Sequence, residues 1–85
     1  MDKFRQKLQS LPVGSFYCIY NDSKYIATKQ LYSGDKIIKL YAKELGGNDI
    51  VSGNYFLTIK GGLLKPCEMS DEKVIDFILN VTPTL

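Results

Sequence analysis

The side chains that could do chemistry in this 85-residue sequence are few: two cysteines, no histidine, and nine carboxylates, six of them in the second half of the chain. Cys67 lies in the run Lys65-Pro66-Cys67-Glu68-Met69. In an extended segment residues i and i+2 project to the same side, so the Lys65 ammonium stands where it would favour the Cys67 thiolate, the nucleophilic form. Glu68 would serve as proton donor if burial raised its pKa. Ser70, a good helix N-cap, follows three residues later and leaves the thiol just outside the turn where a helix dipole acts strongly. The competing explanation is a small buried side chain where strand meets helix, and it is preferred, because free cysteine is among the most buried residue types. Cys18, between Tyr17 and Ile19, reads as core packing.

A second constellation is the polar segment 46–54 with its flanking Glu44. Glu44, Asn48, Asp49, Ser52 and Asn54 supply oxygens for a hard cation or a small polar ligand, although the spacing matches neither an EF-hand, a P-loop nor a dinucleotide fingerprint. Loop Asp and Asn are more often turn formers. A third is a set of bases and rings, Lys24, Lys29, Lys39 and Lys43 among Tyr25, Tyr32 and Tyr41, of the kind a single-stranded nucleic-acid binder uses. Lysine on exposed strands also protects sheet edges from pairing, which is the plainer explanation. The absence of histidine excludes His-based triads, His-containing metal sites and His pH switches.

A formal charge of +2, with Arg5 the only arginine among eleven bases, counts against a phosphate-clamping surface, so nucleic acid is disfavoured as a partner. The 45% apolar content and length of 85 residues predict one globular domain with a single core. No signal-peptide core and no long apolar run is present, so a cytoplasmic, non-membrane protein with two free thiols is expected.

The elements that must position these residues follow from periodicity. Phe4, Leu8 and Leu11 form one helical stripe that Asp2 can cap and Pro12 ends, with Lys3, Arg5, Gln6 and Lys7 facing water. Strands are expected over 15–20 and 24–32, joined by Asn21-Asp22-Ser23, and over 36–43 after a turn at Ser33-Gly34-Asp35. Ile38, Leu40 and Ala42 point inward there. The segment 46–54 reads as a loop between Gly46-Gly47 and a fourth strand, 55–59, with Tyr55, Leu57 and Ile59 on one face. Gly61-Gly62 then turns the chain into a short fifth strand, 63–65, which Pro66 ends. A helix from Ser70 to about Asn80 carries Val74, Ile75, Phe77, Ile78 and Val81, and 82–85 terminates it. The predicted class is α+β: an N-terminal helix, four or five antiparallel strands in meander order, and a C-terminal helix packed on the sheet. One sheet face is then open, or the interface of a homodimer.

The segments ELGG with Asp49, Ser52 and Asn54, then Leu64-Lys65-Pro66-Cys67-Glu68-Met69 and a closing amphipathic helix, resemble a family of small bacterial proteins often labelled peptide methionine sulfoxide reductase. The resemblance covers nearly the whole chain. It implies that Cys67 attacks the sulfoxide sulfur, that an acid protonates the oxygen, and that a second thiol resolves the sulfenic acid. The Gly-Cys-Phe-Trp motif of one reductase class and the Arg-x-Cys-x-Asn motif of the other are absent. The leading expectation is therefore a non-catalytic binding or interaction module for a protein or small polar ligand, without cofactor or metal. A thiol-dependent reductase using Cys67 is the second, and a weak single-stranded nucleic-acid binder the third.

Overall fold

Alternation of buried and exposed side chains runs through five strands and decides which face each residue occupies. In a computed structural model describing residues 2–34 and 36–84, the order is α1 (Asp2–Ser10), β1 (Gly14–Tyr20), β2 (Ser23–Tyr32), β3 (Ile37–Glu44), β4 (Ile50–Thr58), β5 (Gly61–Pro66), α2 (Asp71–Asn80) and β6 (Thr82–Pro83). The sheet is antiparallel throughout, in the order β5-β4-β3-β2-β1-β6, so the first five strands form the expected meander in an α+β fold. Asn21 and Asp22 have φ of 50° and 63°, the left-handed pair of a two-residue hairpin loop whose twist matches its strands. The Asp2 side chain and Asp35, read as cap and turn residues, lie outside the described part.

Both helices cover the same face. Phe4, Leu8 and Leu11 of the α1 region and Val74, Phe77 and Ile78 of α2 are buried in one cluster with the inward residues of the sheet. Its centre is aromatic. Phe77 meets Tyr20 and Tyr25 edge-on at centroid distances of 4.9 and 5.5 Å, and Phe4 meets Tyr55 at 5.4 Å. Ser70 caps α2 by accepting from the Lys73 N–H at 3.2 Å.

Each helix has its C-terminal carbonyls capped by a lysine from another element. The Lys29 ammonium on β2 donates to the carbonyls of Leu8, Gln9 and Leu11 at 2.8, 3.1 and 2.9 Å. Lys7 on α1 donates to those of Ile78 and Val81 at 3.0 and 2.6 Å. These bonds place positive charge where the helix dipole favours it. Lys7 is therefore half-buried, not turned to water, and burial lowers its pKa.

Three boundaries differ from expectation. β4 begins at Ile50, five residues early, because Ser52 and Asn54 take the solvent side of a strand whose other side carries Val51, Gly53 and Tyr55. Polar residues on an open face look like loop when the alternation is not followed. The β4–β5 reversal falls at 59–60, which leaves Ile59 fully exposed instead of inward beside Tyr55. The tail pairs with β1, Ile19 opposite Thr82 and Cys18 opposite Pro83, and Pro83 is tolerated there because the strand is an edge.

Candidate functional site

The 44–49 turn engages most of its own polar groups. The Glu44 N–H donates to the Asp49 carbonyl at 2.9 Å and the Asp49 N–H donates to Glu44 Oε1 at 3.2 Å. The Glu44 carboxylate lies where a Cβ on residue 47 would stand, so only glycine lets it close this ring, and Gly46 supplies φ of 79°. Asp49 accepts from the Tyr25 hydroxyl at 2.6 Å and forms an ion pair with Lys73 of α2. Burial pushes the Asp49 carboxyl up, but the bonds from Lys73 and Tyr25 outweigh it and hold it below the usual carboxylate value. Burial and the bond to Asp49 raise the Tyr25 hydroxyl. Tyr20, which donates to Asp76 of α2, is likewise pushed up to about 12, by burial first and then by that bond. The Tyr20–Asp76 bond and the Tyr25–Asp49–Lys73 chain thus fasten α2 to the sheet.

The remaining oxygens of the polar segment do not join this cluster. Asn48 is exposed, while Ser52 and Asn54 lie on the opposite face, paired with Tyr41 and Lys39. Among the described residues no group of three or more His, Cys, Asp or Glu could hold a metal ion.

The Pro-Cys segment is stapled to β4: the Cys67 N–H donates to the Ser52 carbonyl at 3.0 Å, and the Ser52 N–H approaches Met69 Sδ at 3.4 Å. This brings Cys67, Ser52 and Met69 together. Cys67 and Glu68 are both exposed, so the expected burial of the thiol is not what the structure gives. Glu68 takes φ of 59°, which turns the chain from β5 toward α2. Cys18 is fully buried on β1, and burial raises its pKa. Four strand spacings of about 4.8 Å separate the lines of Cys18 and Cys67, roughly 19 Å, against a Cα separation of at most about 7 Å for a disulfide.

The uncovered sheet face is organised in rows that cross the strands. Register gives one row as Gln30, Lys39, Asn54 and Lys65. On one side of it lies the row Ser15, Thr28, Tyr41 and Ser52, and beyond that Tyr17, Ile26, Lys43 and Ile50. On the other side lies Tyr32, Ile37, Phe56 and Leu63. Tyr17 is 54% exposed and Tyr41 43%. No outward position of β1 to β5 carries a carboxylate. The described acids sit in turns or on the helix side, with Asp71, Glu72 and Asp76 all on α2.

Two members of the expected base-and-ring set leave this face. Lys29 is 3% exposed and caps α1, and Tyr25 is in the core. Parity carries the signal: Lys24 and Lys29 are five apart on one strand, and side chains an odd number apart point to opposite faces. The same count would have added Tyr17, Phe56 and Lys65. A groove of about 180 Å³ opens at the end of α1, lined by Gln9, Val13, Lys29, Leu31 and Ile38.

Comparison of the chain with protein-family models, with curated proteins and with solved structures finds no match. No helix of the described residues is long and apolar enough to cross a membrane.

Proposed function

We propose that the protein is a non-catalytic binding domain whose ligand, an anionic one, lies on the uncovered face of the sheet. One observation carries this reading: the outward positions of β1 to β5 combine four lysines with four aromatic rings and no acid. Rings left half in water contribute little to folding, and lysines without carboxylate partners present a field that attracts anions.

A homodimer through the same face is disfavoured by its charge, since an isologous contact would set four lysines of one copy against four of the other. A thiol-dependent reductase using Cys67 and Glu68 draws support from the exposure of the thiol. Against it stands the distance to Cys18, which leaves a sulfenic acid at Cys67 with no second thiol of this chain to resolve it.

Amide chemical-shift mapping with a heparin-derived hexasaccharide, a plain polyanion, tests the reading. Perturbations at Lys39, Tyr41, Lys43 and Lys65 are expected. Perturbations confined to α2 and the Cys67 segment, or none at low ionic strength, overturn it.

A further inference from the structure

Resting on that reading, we infer that the anionic ligand is single-stranded nucleic acid, laid across the strands along the row Gln30, Lys39, Asn54 and Lys65 with its bases against the rings of the two adjoining rows. Charge attracts any polyanion; what selects this one is the alternation of chemistry. The central row offers cations and amide groups, while Tyr41 on one side and Phe56 on the other offer flat apolar surfaces. Phosphates need the first, and every base has a π-face that uses the second.

Spacing agrees with this. Neighbouring rows on one face are two residues apart along a strand, about 6.8 Å, so a ring and a cation alternate at that interval along β3 as Lys39, Tyr41 and Lys43. A single strand holds its bases to the side of the sugar-phosphate line, so a backbone lying on the central row brings them over the adjoining rows, where Tyr41 and Phe56 stand. The face is also an open sheet surface with nothing to insert into a groove, whereas duplex readers place a helix or ribbon there. Lysine in place of arginine gives point-charge contacts without bidentate geometry, which suits binding tolerant of sequence. A lipid surface would call for a continuous apolar patch projecting beyond the charges, but Ile26, Ile37 and Phe56 are half-buried, and the exposed Ile50 and Leu63 stand three rows apart with the lysine row between them.

Fluorescence anisotropy with labelled oligothymidylate and oligouridylate of about eight nucleotides, within the range of sheet-based sites, tests the inference. Duplex DNA, the heparin hexasaccharide and anionic vesicles serve as competitors. The expected slope of log K against log salt is about −1.4 to −2, for phosphates at Lys39 and Lys65 with or without one at Lys43. Tyr41→Ala should weaken binding about 5- to 160-fold, the usual loss of one stacked base. Lys39→Glu should weaken oligonucleotide binding strongly, and Lys39→Gln less, while Lys3→Glu, the same charge change on the helix side, should not. Comparison of the two oligonucleotides separates DNA from RNA as the source. If the hexasaccharide binds as well as the oligonucleotide and Tyr41→Ala has no effect, the nucleic-acid inference fails while the anion-binding face stands. If neither binds, both fail. Preference for duplex or vesicles, or equal weakening by Lys3→Glu and Lys39→Glu, also overturns the inference.

Discussion

Replacing Lys29 by methionine removes an ammonium and leaves its apolar stem in place, so the substitution isolates the cap on α1. The nitrogen serves three carbonyls within 3.1 Å, and the residue is 3% exposed. A hydrogen bond to a charged group contributes about 1.5–3 kcal/mol, and a charge at a partly buried helix C-terminus up to about 2 kcal/mol. Desolvation of the ammonium offsets much of this, and water reaches the Gln9 carbonyl more readily than the others, so the expected net loss is about 2–4 kcal/mol. For a domain of this size that is a drop in Tm of roughly 8–32 °C. Lys39→Met on the open face serves as the comparison and should stay within about 0.5 kcal/mol of the parent. Urea unfolding of both variants measures the difference, and amide exchange over residues 8–11 shows whether α1 frays. Equal stability of Lys29→Met and the parent, or equal loss in Lys39→Met, would refute the capping argument.

Gly62→Val should destabilise by about 1–3 kcal/mol, since a Cβ at that position overlaps the hydroxyl end of Tyr55, whose ring is packed on Phe4; retained stability in thermal unfolding would mean the ring moves freely. The Asp49 carboxyl is depressed in the folded state, so its contribution is complete above the unfolded value of about 3.9 and lost as pH falls through the folded value. Asp49→Asn should therefore cost about 1 kcal/mol at pH 7, discounted for the partial exposure of both partners, and flatten the acid limb of the stability profile; an unchanged limb rejects this. Native protein should react with Ellman's reagent at one thiol quickly and at the second only on unfolding, because Cys67 is exposed and Cys18 is not; two fast thiols would contradict the packing of β1.

Much of the fold is legible in alternation alone. The pattern Ile38, Leu40, Ala42 against Lys39, Tyr41, Lys43 states the two faces of β3 without ambiguity, and Asn21-Asp22 announces its hairpin. The beginning of β4 is not announced, because Ser52 and Asn54 are outward on a face that water reaches and Gly53 is inward where a Cβ would press on the Pro66 backbone at 3.2 Å. β6 is invisible for a different reason: two residues carry no period, and their pairing depends on where α2 delivers the chain. The candidate ligand residues misled through chemistry shared by turns and sites. Glu44 and Asp49 are a carboxylate pair in composition, but the backbone N–H groups and Lys73 engage them locally, which no spacing rule distinguishes from ligation.

The near-zero net charge of the chain is an average over two unlike sides. Helix α2 contributes three acids and the 44–49 turn two more, whereas the five-strand face contributes lysines only. Whole-chain charge therefore understates the field over the open face, where none of the described acids lies. Lysine alone would not discriminate binding from solubility, because a lysine on an exposed strand keeps the face hydrated and unpaired whatever else it does. The rings do discriminate. Tyr17 and Tyr41 keep about half their surface in water, where a threonine would satisfy the strand equally well, and a surface meant only to stay dissolved gains nothing from them.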